Sequence, residues 1–141
     1  MVVKRGFTLI ELLVVISVIG ILVSIIASSF VTGQKRSRDA KRRADLLAIQ
    51  QSLEQCFVLN GAYPNAITGG QALTCGTQTT MNSVPADPKA TGSYVYTYTP
   101  NGGLTSYCLC AYLEQLGAGN ASNNNCSLAA GGDYQCLANQ Q

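Results

Sequence analysis

From Phe7 to Val31 the chain runs for 25 residues with a single charge, Glu11. A helix of that length extends ~37 Å at ~1.5 Å per residue, more than the ~30 Å hydrocarbon core of a bilayer. The Ile, Val and Leu content would suit a strand in a shorter run, but an unbroken stretch this long reads as helix. A cleavable secretory signal has an apolar core of only ~7–15 residues and a small-residue cleavage site after it. No such boundary follows Val31. The segment therefore reads as a retained transmembrane helix, or one that later packs inside protein.

The six cysteines, Cys56, Cys75, Cys108, Cys110, Cys126 and Cys136, bear on which side the rest of the chain occupies. Five lie in the last 67 residues, a stretch rich in Gly, Asn, Ser and Thr. An even count in a small exported region reads as a disulfide framework. A bare Lys/Arg count says the opposite, because Lys35, Arg36, Arg38, Lys41, Arg42 and Arg43 follow the apolar run and only Lys4 and Arg5 precede it. The cysteines carry more weight, since loop charge biases topology without dictating it. The basic cluster, interleaved with Asp39 and Asp45, reads as a solvated or intersubunit-paired helix face. Residues 60–141 carry Lys89 against Asp87, Glu114 and Asp133, so no broad basic surface for nucleic acid is expected. Histidine is absent, which removes the usual base of a Ser or Cys nucleophile and a common metal ligand.

Thr8-Leu9-Ile10-Glu11 fits the capping-box pattern that opens a helix. A carboxylate in an apolar segment is also the expected partner of a buried ammonium. The run Lys4-Arg5-Gly6-Phe7-Thr8-Leu9-Ile10-Glu11-Leu12-Leu13 resembles the class III signal of type IV pilins and type II secretion pseudopilins. The resemblance implies that a prepilin peptidase cuts between Gly6 and Phe7 and that Phe7 becomes N-methylated. It also implies that Glu11, fifth in the cleaved chain, neutralises the terminal amine of a neighbouring subunit. The helix-kinking Pro frequent in that family is missing; Ser28 and Ser29 occupy the region, and Gly20 is left as the soft point. Phe57–Pro64 is similar to the helix-end segment common in major pseudopilins.

Beyond Thr32, Ala40, Leu46, Ile49, Leu53 and Cys56/Phe57 recur at three- and four-residue steps, one face of an amphipathic helix. No Pro intervenes before Pro64, so one helix of about 50 residues is expected, broken at most near Gly33 and stopped at Asn60-Gly61. Residues 61–92 are rich in turn formers. Tyr94–Thr99 and Tyr107–Leu113 read as a hairpin about Pro100–Gly103, Asp133–Leu137 as a short third strand, and Gly117–Gly132 as a loop. The alternating tyrosines read as packing over a helix with wet hydroxyls. Sequon matches at Asn120 and Asn125 carry little in so Asn-rich a stretch. Cys108 and Cys110 share a face; no His or second close thiol pair completes a metal site with them, so no metal or cofactor is assigned. The preferred pairing is Cys56–Cys75, with Cys108 and Cys110 joined to Cys126 and Cys136 in either order; the last pair resembles the disulfide that often closes the C-terminal loop of type IV pilins.

The expected fold is α+β: a long N-terminal helix packed on a small antiparallel sheet, disulfide-stapled, as in type IV pilins. The expected organisation is a leader over 1–6, a membrane or filament-core helix over 7–31, its amphipathic continuation over 32–60 and an extracytoplasmic head over 61–141. The implied role is a non-enzymatic filament subunit of a pilus or pseudopilus. Its implied partners are further copies of itself, minor pilins or pseudopilins, the prepilin peptidase, an inner-membrane assembly platform and, before assembly, the lipid bilayer. A membrane-tethered module binding sugar or DNA is the alternative; a disulfide-exchange enzyme using Cys108-x-Cys110 is a third reading.

Overall fold

The computed structural model describes residues 6–141, with all their side chains except those of Ala27 and Ser28. Lys4 and Arg5 of the expected leader lie outside the described residues. The chain divides into two compact units, Met1–Lys35 and Arg36–Gln141. One helix, α1 (Leu9–Asn60, 52 residues), contributes to both. It continues through Gly20 and Gly33 without interruption, so the break allowed near Gly33 does not occur.

In the first unit every described side chain from Gly6 to Lys35 is exposed. Two hydroxyls in the apolar run bond to the helix itself: Ser17 Oγ donates to Leu13 O at 2.7 Å and Ser24 Oγ to Ile21 O at 2.8 Å. Back-bonding of this kind removes the cost of a polar side chain in a medium without water. By length and composition α1 suffices to cross a membrane.

In the second unit α1 ends where Gly61 adopts a φ of 68°, with its N–H donating to Phe57 O at 2.7 Å. That left-handed residue closes the helix end at no steric cost. The buried stripe of this half comprises Asp39, Arg42, Leu46, Ile49, Leu53 and Cys56. Ala40, expected on that face, is exposed. Leu46, Ile49, Leu53 and Cys56 pack with Tyr63, Leu73, Val84, Tyr107 and Leu109 into one core.

Seven strands follow: β1 (Leu73–Cys75), β2 (Gln78–Met81), β3 (Thr97–Pro100), β4 (Tyr107–Tyr112), β5 (Gly119–Ala121), β6 (Leu128–Gly132) and β7 (Tyr134–Ala138). β1 and β2 form an antiparallel hairpin within the turn-rich stretch, where no strand is expected from sequence. The other five form an antiparallel sheet in the order β3-β4-β7-β5-β6. The hairpin expected around residues 100–103 is present, although β3 starts at Thr97 rather than Tyr94, and β7 is the expected third strand. The stretch 117–132 expected as a loop carries β5 and β6. Its small residues make this pairing possible: a Cβ on Gly119 would run into the Tyr134 carbonyl, and one on Gly132 into the Ala121 carbonyl. Asn120 adds a side-chain rung, accepting from Cys136 N at 2.7 Å and donating to Cys136 O at 2.8 Å.

Candidate functional site

The start of α1 gathers the residues singled out for processing and assembly. Thr8 caps the helix. Glu11 Oε2 accepts from Thr8 N at 2.8 Å and from Thr8 Oγ1 at 2.7 Å, while Thr8 Oγ1 accepts from Glu11 N at 3.3 Å. This is the reciprocal capping box expected from T-x-x-E. Phe7, Ile10, Val14 and Val15 line an apolar recess around the carboxylate. Gly6 and Phe7 precede the helix and are exposed, Phe7 by 83%. The arrangement places one carboxylate and one large apolar ring at the head of an uncovered apolar helix.

The basic cluster departs in part from the solvated or intersubunit-paired face expected of it: Lys35, Arg36 and Lys41 are exposed, but Arg38, Arg42 and Arg43 turn toward partners in the same chain. Arg42 is fully buried and held by three carboxylates. Its Nε and Nη2 clamp Asp87 at 2.6 and 2.9 Å, and Nη1 reaches Asp39 at 2.7 Å and Glu114 at 3.1 Å. Arg38 forks onto Glu114 at 2.5 and 2.8 Å. Asp39 also accepts the backbone N–H groups of Glu114 and Gln115, both at 2.9 Å. Arg43 reaches Ala118 O at 2.8 Å. Burial alone would depress the pKa of Arg42, but its bonds to Asp87, Asp39 and Glu114 outweigh that and raise it. The Arg38 fork, joined by Arg42, draws Glu114 down to about 2. Asp87 pays for burial yet is still held below the usual carboxylate range by Arg42. These charges fasten α1 to the segments around residues 87 and 114, and every partner is internal.

The tyrosines differ from expectation in the same way. Tyr96 Oη donates to Asp45 at 2.7 Å, Tyr98 Oη to Pro64 O at 2.7 Å, and Tyr63 and Tyr107 both to Glu54, at 2.9 and 3.0 Å. These hydroxyls are bonded rather than wet, and burial pushes Tyr98 up to about 12. The ring of Tyr94 faces both the Arg42 guanidinium, 4.8 Å away, and the Lys89 ammonium, 4.1 Å away.

All six cysteines are paired, Cys56–Cys75, Cys108–Cys126 and Cys110–Cys136. The first bond ties the end of α1 to β1, as expected, and the other two select one of the two orders left open. The fold supplies the second close sulfur pair that the C-x-C spacing lacked: the sulfurs of Cys108, Cys110, Cys126 and Cys136 lie within 4.8 Å of one another, joined in two disulfides.

Residues 1–27, which hold Gly6-Phe7 and the capped start of the apolar helix, match the family model described as the prokaryotic N-terminal methylation motif. The chain is 34% identical over 70 residues to the type II secretion system core protein G of Klebsiella pneumoniae, covering 50% of each chain. It is 33% identical over 86 residues to the protein of the same name from Klebsiella michiganensis, covering 61% of this chain and 57% of that one. The type IV major pilin protein PilA of Myxococcus xanthus is 40% identical over 54 residues, 38% of this chain and 24% of the pilin. The chain thus spans about half the length of the core protein G relatives it matches. No solved structure matches it.

Proposed function

We propose that this chain is a structural subunit of a type IV filament, either a pilus or a type II secretion pseudopilus. In this reading prepilin peptidase cuts between Gly6 and Phe7, and Phe7 is N-methylated. The chain sits in the inner membrane with its cysteine-rich unit outside, until an assembly platform moves it into a filament of further copies and minor pilins. The observation that carries the reading is the uncovered apolar run from Phe7, headed by one carboxylate at Glu11. Such a surface needs lipid or other helices around it. A head-to-tail contact that does not close then builds a filament from identical copies. The relatives' names support the same class.

Glu11 has two candidate roles, and a substitution separates them. In the filament it would face the Phe7 amine of a neighbour, where either charge alone is strongly disfavoured. Glu11→Gln keeps the capacity for a capping box but cannot neutralise an ammonium. The variant is expected to be made, cleaved, membrane-inserted and disulfide-bonded, yet to give few filaments when sheared material is counted by electron microscopy. Filaments at the parental level would assign Glu11 to capping alone.

A further inference from the structure

The four clustered cysteines are joined in a crossed order. Cys108 and Cys110 lie two residues apart on β4, Cys136 faces Cys110 from β7, and Cys126 lies between β5 and β6. Cys108 bonds Cys126 and Cys110 bonds Cys136, so the two pairs interleave along the chain. Cys56 and Cys75, by contrast, are consecutive cysteines. Closing a short loop costs less entropy than closing a long one, so an oxidant acting before the sheet forms would join Cys108 to Cys110 and Cys126 to Cys136 first.

The folded sheet selects the crossed arrangement while keeping the other sulfurs close. Residues two apart on a strand have Cα atoms ~6.6 Å apart, whereas the crossed pairs sit at Cα separations of 5.7 Å and 4.1 Å, and the β4–β7 register sets Cys136 directly opposite Cys110. Yet Cys108 Sγ remains 3.4 Å from Cys110 Sγ, to which it is not bonded. Disulfides rearrange by attack of a thiolate on a neighbouring sulfur, so sulfurs held this close can exchange with little movement of the chain.

We propose that Cys108, Cys110, Cys126 and Cys136 form a thiol-exchange site, the substrate site of a thiol–disulfide isomerase, through which the consecutive pairing is converted to the crossed one as the sheet forms. The external thiolate attacks Cys126 Sγ, forming a mixed disulfide and releasing Cys136 as thiolate. The β4–β7 register brings Cys136 opposite Cys110; Cys136 attacks Cys110 Sγ, the Cys108–Cys110 bond breaks, and Cys108 leaves as thiolate. Cys108 then attacks Cys126 Sγ and expels the external sulfur as thiolate. Two disulfides enter and two leave, the external thiol is regenerated, and nothing is oxidised or reduced overall. The site is independent of polymerisation and needs an oxidant to form the first pairs and an exchanging thiol to rearrange them.

The test uses the full chain in detergent, reduced, denatured and then reoxidised on refolding, with pairings mapped by mass spectrometry of acid-quenched proteolytic peptides. Diamide, an oxidant without a thiol, is expected to leave peptides joined through Cys108–Cys110 and Cys126–Cys136. Reduced glutathione, added as the exchanging thiol, is expected to replace them with the crossed pairs, while Cys56–Cys75 stays the same throughout. A chain that forms only the crossed pairs in diamide, or whose consecutive pairs persist in glutathione, overturns the proposal.

Discussion

Arg42 is the residue on which the most charge converges: a fully buried guanidinium among Asp39, Asp87 and Glu114. Removing one partner from such a set leaves buried charges uncompensated, a cost of about 3–5 kcal/mol. Arg42→Ala is therefore expected to lower the unfolding free energy of the cysteine-rich unit by that amount in a urea titration, whereas Arg36→Ala, at an exposed position, leaves it unchanged. Glu114 makes the network sensitive to acid. Its carboxyl titrates near 4.5 when free and near 2 when folded, so its contribution is complete above pH 4.5 and disappears as the pH falls through about 2. Thermal midpoints measured across that window should fall in the parent and fall less steeply in Glu114→Gln. The inward orientation of Asp39 and Arg42 was legible in the sequence, because 39, 42, 46, 49, 53 and 56 recur in alternating steps of three and four. Their polarity favoured Ala40 as the core position instead. Their partners lie 45 and 72 residues away from Arg42, beyond the reach of any local spacing.

At the scale of elements, long periodic signals were legible and short glycine-rich strands were not. α1, β4 and β7 announce themselves through apolar periodicity, alternation and flanking turn residues. β5 and β6 are built from Gly, Ala, Asn and Leu, whose composition is that of a loop. What makes them strands is a backbone approach so close that side chains are excluded, a tertiary property with no local signature. Gly119→Ala should therefore cost roughly 1–3 kcal/mol by overpacking against the Tyr134 and Gly132 carbonyls. Gly102→Ala, with nothing within 4 Å and no positive φ, should be neutral in the same urea titration. The tyrosine hydroxyls follow the same logic. Their alternation is a strand signal, but acceptors such as Asp45 and Glu54 come from α1 and become visible only once helix and sheet are packed.

For the whole molecule, the two units answer different demands. Arg36–Gln141 holds Arg38, Asp39, Arg42, Asp87 and Glu114 in internal ion pairs and is cross-linked three times, which steadies a small core. The large apolar side chains described between Phe7 and Val31 are exposed, a surface that a bilayer or a bundle of like helices would cover in the proposed function. The N-terminal motif was the most legible part of the chain because its residues stand in one contiguous run, which a family model matches over residues 1–27. A filament subunit of the proposed kind is cut after Gly6 and built into filaments. The direct measurement is mass spectrometry of the N-terminal peptide from the main component of sheared filaments. That component is expected to be the present chain, with Phe7 as its first residue, carrying one methyl group. Filaments that lack the chain, or that contain it with residues 1–6 still attached, would contradict the proposed function.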